Sequence, residues 1–339
     1  MRIAVIGAGS WGTAVAWLLG GKGHEVSWWS REVEIAEGVN AEHRNPLYLP
    51  DVELPASVWA TPDIERAVDD VEAVVMVTPS IGVRSTAEAM APALGKDVPV
   101  VILSKGVEGT TNLLMTEVLE DVLGNRSRLA GLSGPNHAEE VSRGVPSATV
   151  VAAYDERVGE LFQDAFMTPF FRVYTNPDVT GVELAGASKN VVAIAAGMCD
   201  GLGYGDNTKA TLMTRGLAEM TRLGRCLGAN PLTYMGLAGM GDLVVTCTSR
   251  HSRNRKLGEM VANGKTLEDF TAETHMVAEG AVACVTVAEL AEREGLDLPI
   301  THAVRSVLYE GASPKTMGEW LMSRGARDEL HGLGLADCE

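Results

Sequence analysis

Apolar residues in the first half of the chain fall into short runs, at residues 3–6, 26–29, 74–77, 98–103, 129–132, 148–153 and 171–174. Each is short and strand-like, so the runs predict strands. Between several of them the spacing changes to the helical period, at residues 13–19, 81–93, 113–123 and 157–166. Strands that are apolar throughout and alternate with helices predict a mostly parallel sheet covered on both faces. From about Val179 the strand signal stops. Helix-period segments take over at residues 182–196, 209–227, 255–262, 282–293 and 303–308. The turn-forming triplet Asn176-Pro177-Asp178 marks the change, with Asp178 or Thr180 placed to cap the next helix. The pattern predicts an α/β domain over residues 1–178 and an all-helical domain over residues 179–339.

Length and composition agree, since 339 residues suit two domains, and 46% apolar with 22% charged residues excludes a disordered chain. The formal charge of −17 repels a phosphate backbone, so nucleic acid is excluded as a general partner and an anionic small substrate would need a local basic pocket. Five cysteines, without metal-ligand spacing, predict reduced thiols and a cytoplasmic setting. No unbroken apolar run approaches the roughly 18 residues of a membrane helix, so no membrane span is expected. A signal peptide is the weaker reading of the N-terminus, because glycines break its apolar stretch.

The string GAGSWG at residues 7–12 has GxGxxG spacing between a predicted strand and a predicted helix, the context of a dinucleotide site. Gly7 permits the tight turn, Gly9 lets the backbone approach a pyrophosphate and Gly12 lets the helix pack on the strand. The second strand ends Trp28-Trp29-Ser30-Arg31 with no acidic residue for a ribose 2′-hydroxyl. Ser30 and Arg31 suit a 2′-phosphate better, which predicts NADP(H), while Glu32 next door leaves NAD(H) open.

Several features of the sequence suggest a substrate site. Lys189 and Asn190 interrupt an otherwise small and apolar helix, where an ammonium pays for desolvation unless an anion partners it; lysines so placed carry protons. The alternative is a lysine snorkelling to the surface. Residues 250–256, RHSRNRK, concentrate positive charge with Ser252 and Asn254 as extra donors, and Arg253 offers a planar fork to phosphate, although a solvated helix face reads the same way. Just before it, Gly239-Met240-Gly241-Asp242 reads as a glycine-rich loop presenting one carboxylate. Lys105 and Ser133-Gly134-Pro135-Asn136 follow predicted strands at the edge where open α/β sheets bind ligands. The glycines of residues 201–205 read as a helix-ending loop.

In order along the chain, GAGSWGTA at 7–14, NPLYLPDVELP at 45–55, SKGVE at 104–108, SGPNHAEEV at 133–141, ELAGASKNVVAIAAG at 183–197, GDNTKATLMTRGLAEM at 205–220, GLAGMGDLVVTCTS at 236–249, SRNR at 252–255 and VAEG at 277–280 resemble the bacterial NAD(P)-dependent glycerol-3-phosphate dehydrogenases. The resemblance runs nearly end to end. It implies an N-terminal Rossmann domain, a helical C-terminal domain, and reversible reduction of dihydroxyacetone phosphate to sn-glycerol 3-phosphate for phospholipid synthesis. It implies Lys189 as proton donor and acceptor, with Asn190, Asp242 and Thr246 orienting the substrate oxygens. Lys105, Gly134, Asn136, Ser252, Arg253 and Asn254 would hold substrate. Ser10, Trp11, Arg31, Lys105, Ala138, Arg253, Val277 and Glu279 would contact the cofactor, and a homodimer is expected. Asn136-His137 stands where the family more often has a hydroxyl and then an aromatic residue, and Asp51 replaces a usual glycine. The rival readings are another hydroxyacid or sugar-phosphate dehydrogenase of similar build, or a non-catalytic NAD(P)H sensor.

Overall fold

The computed structural model describes residues 1–274, 278–329 and 331, and separates into two compact units. Unit 1 comprises Met1–Lys105 and Leu113–Val179; Gly106–Asn112 groups with Thr180–Glu339 in unit 2, so the chain passes between units more than once.

Unit 1 alternates strands and helices: β1 Arg2–Ile6, α1 Ser10–Gly21, β2 Glu25–Trp29, α2 Val33–Glu42, β3 Val58–Thr61, α3 Ile64–Val68, β4 Ala73–Met76, α4 Val83–Met90, β5 Val100–Ile102, α5 Met115–Leu123, β6 Leu129–Ser133, α6 Ala138–Val141, β7 Ser147–Ala153, α7 Glu156–Phe166 and β8 Phe171–Asn176. The strands form one sheet in the order β3-β2-β1-β4-β5-β6-β7-β8, parallel except for the antiparallel β6–β7 pair. Alternate residues enter opposite cores. Ile3, Val5 and Val75 pack with Trp28, Phe162 and Phe166 on one face, while Ala4, Ile6 and Val74 pack with Met90, Met115 and Leu119 on the other. Burial on both faces is why these strands read as unbroken apolar runs.

All seven expected strands are present, with β5 confined to Val100–Ile102. Strand β3 went unpredicted because its apolar run, Val58-Trp59-Ala60, is shorter than those that mark the other strands. It forms by pairing with β2, and Asn40 on α2 both donates to and accepts from the backbone of Ala60, at 2.8 and 2.9 Å, occupying part of its open edge.

Unit 2 is helical: α8 Val179–Gly201, α9 Asp206–Cys226, α10 Asp242–Thr248, α11 Arg253–Ala262, α12 Leu267–Thr274, α13 Glu279–Arg293, α14 Pro299–Tyr309 and α15 Pro314–Ser323. Helix α8 is the described helix long and apolar enough to cross a membrane, yet 94% of its apolar window is buried inside the protein. It is a core helix. Its neighbours approach at backbone distance: a Cβ on Gly197 would collide with the Arg255 carbonyl, and one on Gly258 with the Ile194 carbonyl. Val191, Ile194 and Met198 then meet Leu257, Phe270 and Cys284.

Candidate active site

In unit 1 the chain leaves β1 through Gly7, whose φ of +119° is closed to side-chain-bearing residues without strain. The indole N–H of Trp28 holds the Gly7 carbonyl at 2.8 Å. A Cβ at Gly12 would strike that same carbonyl, so Gly12 is required by the protein's own packing. Gly9 differs. It is exposed, its backbone is extended, and a Cβ there would meet nothing within 4 Å. No side chain caps the start of α1, and no acidic residue occupies its first turn. The helix's positive end and its first N–H groups therefore face an uncrowded position, which fits an anionic pyrophosphate. Ser10 and Trp11 open the helix and are half-buried. The strand order reverses between β1 and β4, which places this turn at the switch point where open α/β sheets bind ligands.

Sequence reasoning missed the brace of this turn. Asn45 is completely buried; its amide donates to the Ala8 carbonyl at 3.0 Å and to Thr13 Oγ1 at 2.9 Å, and its oxygen accepts from the N–H groups of Leu47 and Tyr48. An Asn-Pro pair signals only a turn, and nothing in the string tells which backbone the amide will meet.

At the end of β2, Arg31 is largely exposed and pairs with Glu32 at 3.0 Å. Ser30 is buried, and its hydroxyl donates to the Glu32 carbonyl at 2.9 Å. That hydroxyl is committed to the backbone, which corrects the expectation that Ser30 faces a 2′-phosphate. Beyond β5 and β6, Lys105 Nζ donates to the Gly134 carbonyl at 3.1 Å, joining two expected substrate residues. Gly134 has φ +156°, and a Cβ would press on Thr149. The Asn136 amide donates to the Ala148 carbonyl at 3.0 Å, so part of its donor capacity is spent on β7. Ala138 is buried at the start of α6.

In unit 2, Lys189 is 5% exposed on α8, and its ammonium donates to Asp242 Oδ1 at 2.8 Å and to Thr246 Oγ1 at 2.6 Å. The snorkelling alternative fails here, and the anion that burial demands is Asp242. Asp242 and Thr246 lie one turn apart on α10, so both reach the same side of that helix. The Thr246 hydroxyl donates onward to the Asp242 carbonyl at 2.6 Å. Asp242 does not sit in a loop as expected: residues Leu237–Gly241 form a wide helical turn closed by a bond from Gly241 N to the Gly236 carbonyl at 3.1 Å, and α10 starts at Asp242. Cys247, on the same helix, is pushed up to about 12 by burial, so it stays a thiol.

Asn190 and Asn254 meet through their side chains at 2.9 Å, and Gly280 N donates to Asn254 Oδ1 at 3.0 Å. Ser252 is buried and caps α11 by accepting from Arg255 N at 3.2 Å. Arg253, in contrast, is exposed and makes no ion pair with any described residue. Glu279 is half-buried at the first position of α13, and Val277 lies outside the described residues.

A glycine turn open to a pyrophosphate, and a buried ammonium held by a carboxylate and a hydroxyl, define the class as a two-unit nicotinamide-dinucleotide dehydrogenase. Comparison with known proteins narrows it. Residues 2–159 match the family described as NAD-dependent glycerol-3-phosphate dehydrogenase N-terminus and residues 178–319 the corresponding C-terminus. The chain is 49% identical over 329 residues to glycerol-3-phosphate dehydrogenase (NAD(P)+) 2 of Salinibacter ruber, covering 96% of each protein. It is 46% identical to the enzyme of that name from Shouchella clausii, covering 98% of each. The crystal structure of glycerol-3-phosphate dehydrogenase from Coxiella burnetii superposes with a TM-score of 0.91 at 35% identity, over 95% of this chain and 99% of that one. The chain belongs to the NAD-dependent glycerol-3-phosphate dehydrogenase family.

Proposed function

We infer that this protein interconverts dihydroxyacetone phosphate and sn-glycerol 3-phosphate with NAD(P)H. The observation that carries the reading is the Lys189 ammonium, buried on an apolar helix yet bonded to both Asp242 and Thr246. Structural lysines rarely keep their charge so far from water without a task, and proton-carrying ones need this kind of stabilised donor.

The nicotinamide, when bound, supplies or receives the hydride at C2. In the reducing direction the positive charge on Lys189 Nζ stabilises the C2 oxygen as it becomes an alkoxide, until the proton passes to it and leaves a neutral amine that must be reprotonated before the next turnover. Asp242 and Thr246 hold the amine in place. Asn190 steadies this end of the substrate. Arg253, exposed and unpaired among the described residues, grips the phosphate with Ser252 and Asn254 beside it, and its binding energy orients C2. Lys105, Gly134 and Asn136 are also assigned to the substrate. Cofactor contacts are assigned to Gly7, Gly9, Ser10, Trp11, Gly12, Arg31, Lys105, Ala138, Arg253, Val277 and Glu279. The phosphorylated substrate is a free small molecule, the active form is a homodimer, and the setting is the cytoplasm, consistent with cysteines that form no disulfide among the described residues.

The test is NADPH consumption by the purified full chain with dihydroxyacetone phosphate and with dihydroxyacetone, followed by nicotinamide absorbance. Turnover that depends on the phosphate supports the assignment. Turnover only of an unrelated hydroxyacid or ketose would replace it with the rival dehydrogenase reading, and cofactor binding without turnover would leave a sensor.

A further inference from the structure

The charged cluster at the far end of α8 lies outside the residues assigned to substrate. Asp200, on the last turn of that helix, accepts from Arg255 Nη1 at 2.6 Å and from the Lys209 ammonium of α9. Burial alone would raise the Asp200 carboxyl, but hydrogen bonds from Lys209 and Arg255 outweigh it and hold the group below the usual carboxylate range.

Arg255 has a second set of contacts. Its Nε donates to the Ser249 carbonyl at 3.1 Å, where α10 ends, and its own N–H donates to Ser252 Oγ at 3.2 Å, where α11 begins. The Ser249 carbonyl also accepts from Ser252 N, so the turn between the two helices closes around this guanidinium. The backbone of Arg255 lies against Gly197 of α8, closer than a Cβ there would permit. The side chain thus ties α8, which carries Lys189, to the end of α10, which carries Asp242 and Thr246. Because Arg255 itself lies in the first turn of α11, its backbone N–H fixes the start of that helix, which carries Arg253 and Asn254. A planar fork can hold two acceptors in fixed directions; an ammonium on a flexible stem cannot.

We propose that Arg255, anchored by Asp200, is a positioning residue that sets the separation between the Lys189 amine and the phosphate grip at the start of α11, and with it the preference for a phosphorylated ketone. Arg255 acts through the turn and makes no contact with substrate. The inference rests on the activity argued above and names the device that couples the two ends of the substrate.

The experiment is steady-state kinetics of the full chain with dihydroxyacetone phosphate and dihydroxyacetone, in the wild type, Arg255→Lys and Asp200→Asn. For Arg255→Lys, kcat/KM falls about tenfold more for the phosphorylated ketone than for the plain one, because misplacing the grip wastes its orienting energy. Asp200→Asn shifts the ratio in the same direction. Equal losses on both ketones would reduce Arg255 to a merely structural role and overturn the proposal. A collapse of the ratio in Arg255→Lys with a wild-type ratio in Asp200→Asn would also overturn it, by making Arg255 a direct phosphate ligand. Should Arg255→Lys fail to fold, Asp200→Asn decides alone. A wild type that turns over neither ketone sinks the activity assignment and this inference together, whereas the other two outcomes sink the inference only.

Discussion

Asn254 donates its side-chain amide to Asn190 Oδ1 across 2.9 Å, both residues being buried, and this bond links the helix of the proton-carrying lysine to the helix that starts the phosphate grip. With Gly280 N bonded to Asn254 Oδ1, the amide pair is an internal strut as much as a substrate contact. Removing either partner leaves a buried polar group unsatisfied, at a cost of about 1–3 kcal/mol. In a double-mutant cycle with Asn190→Ala and Asn254→Ala, the effects on kcat/KM are expected to fall short of additive by at least about 0.5 kcal/mol. Simple additivity would mean that the two amides act independently.

Lys189→Ala is expected to lower kcat by about two to four orders of magnitude while NADPH binding, measured by fluorescence titration, is retained. It also strands the Asp242 carboxylate in the interior, so thermal stability should drop. Adding Asp242→Asn to Lys189→Ala should restore much of that stability without restoring turnover. Near-normal turnover in the single variant would remove Lys189 from the reaction.

Two glycines of one motif should respond in opposite ways. Gly12→Ala places a methyl group against the Gly7 carbonyl and should lower the melting temperature. Gly9→Ala meets open space with an ordinary extended backbone, so the fold should tolerate it, while NADPH affinity falls by about tenfold or more. Intact affinity in a folded Gly9→Ala variant would place the pyrophosphate elsewhere.

Glu219 is fully buried in α9 and accepts from Ile300 N at 2.7 Å and Thr301 N at 3.3 Å, at the start of α14. Burial pushes its carboxyl up to about 7, against those bonds and nearby Arg222. The native state thus holds a proton that the unfolded chain releases near pH 4.5. This contribution is fully present below that pH and is lost as pH rises through about 7, on the order of 3 kcal/mol in all. Urea unfolding of wild type and Glu219→Gln at about pH 5 and about pH 8 should show the variant missing that share of the decline. Parallel slopes would contradict it.

Much of the architecture was legible because its causes are local. Strands buried on both faces need apolar runs, a dinucleotide turn needs glycine at positions such as Gly7 and Gly12, and a charged Lys189 inside a greasy helix stands out against its neighbours. The edge strand at Val58–Thr61 was not legible, since its formation depends on the β2 backbone and Asn40 rather than on its own residues. Ser30 looked like a phosphate donor, yet the Glu32 carbonyl takes its hydroxyl hydrogen, and the Ala148 carbonyl takes one of the two amide hydrogens of Asn136.

The order of residues by itself determined the two-part organisation, the family and the chemical groups on offer, because periodicity and composition act through neighbours in the chain. Only the tertiary structure decided who pairs with whom: Lys189 with Asp242 53 positions away, Asn190 with Asn254 64 away, Arg255 with Asp200 55 away. A hydrogen bond is a matter of ångströms in space, and helices packed through glycine, not spacing along the sequence, bring those atoms within reach.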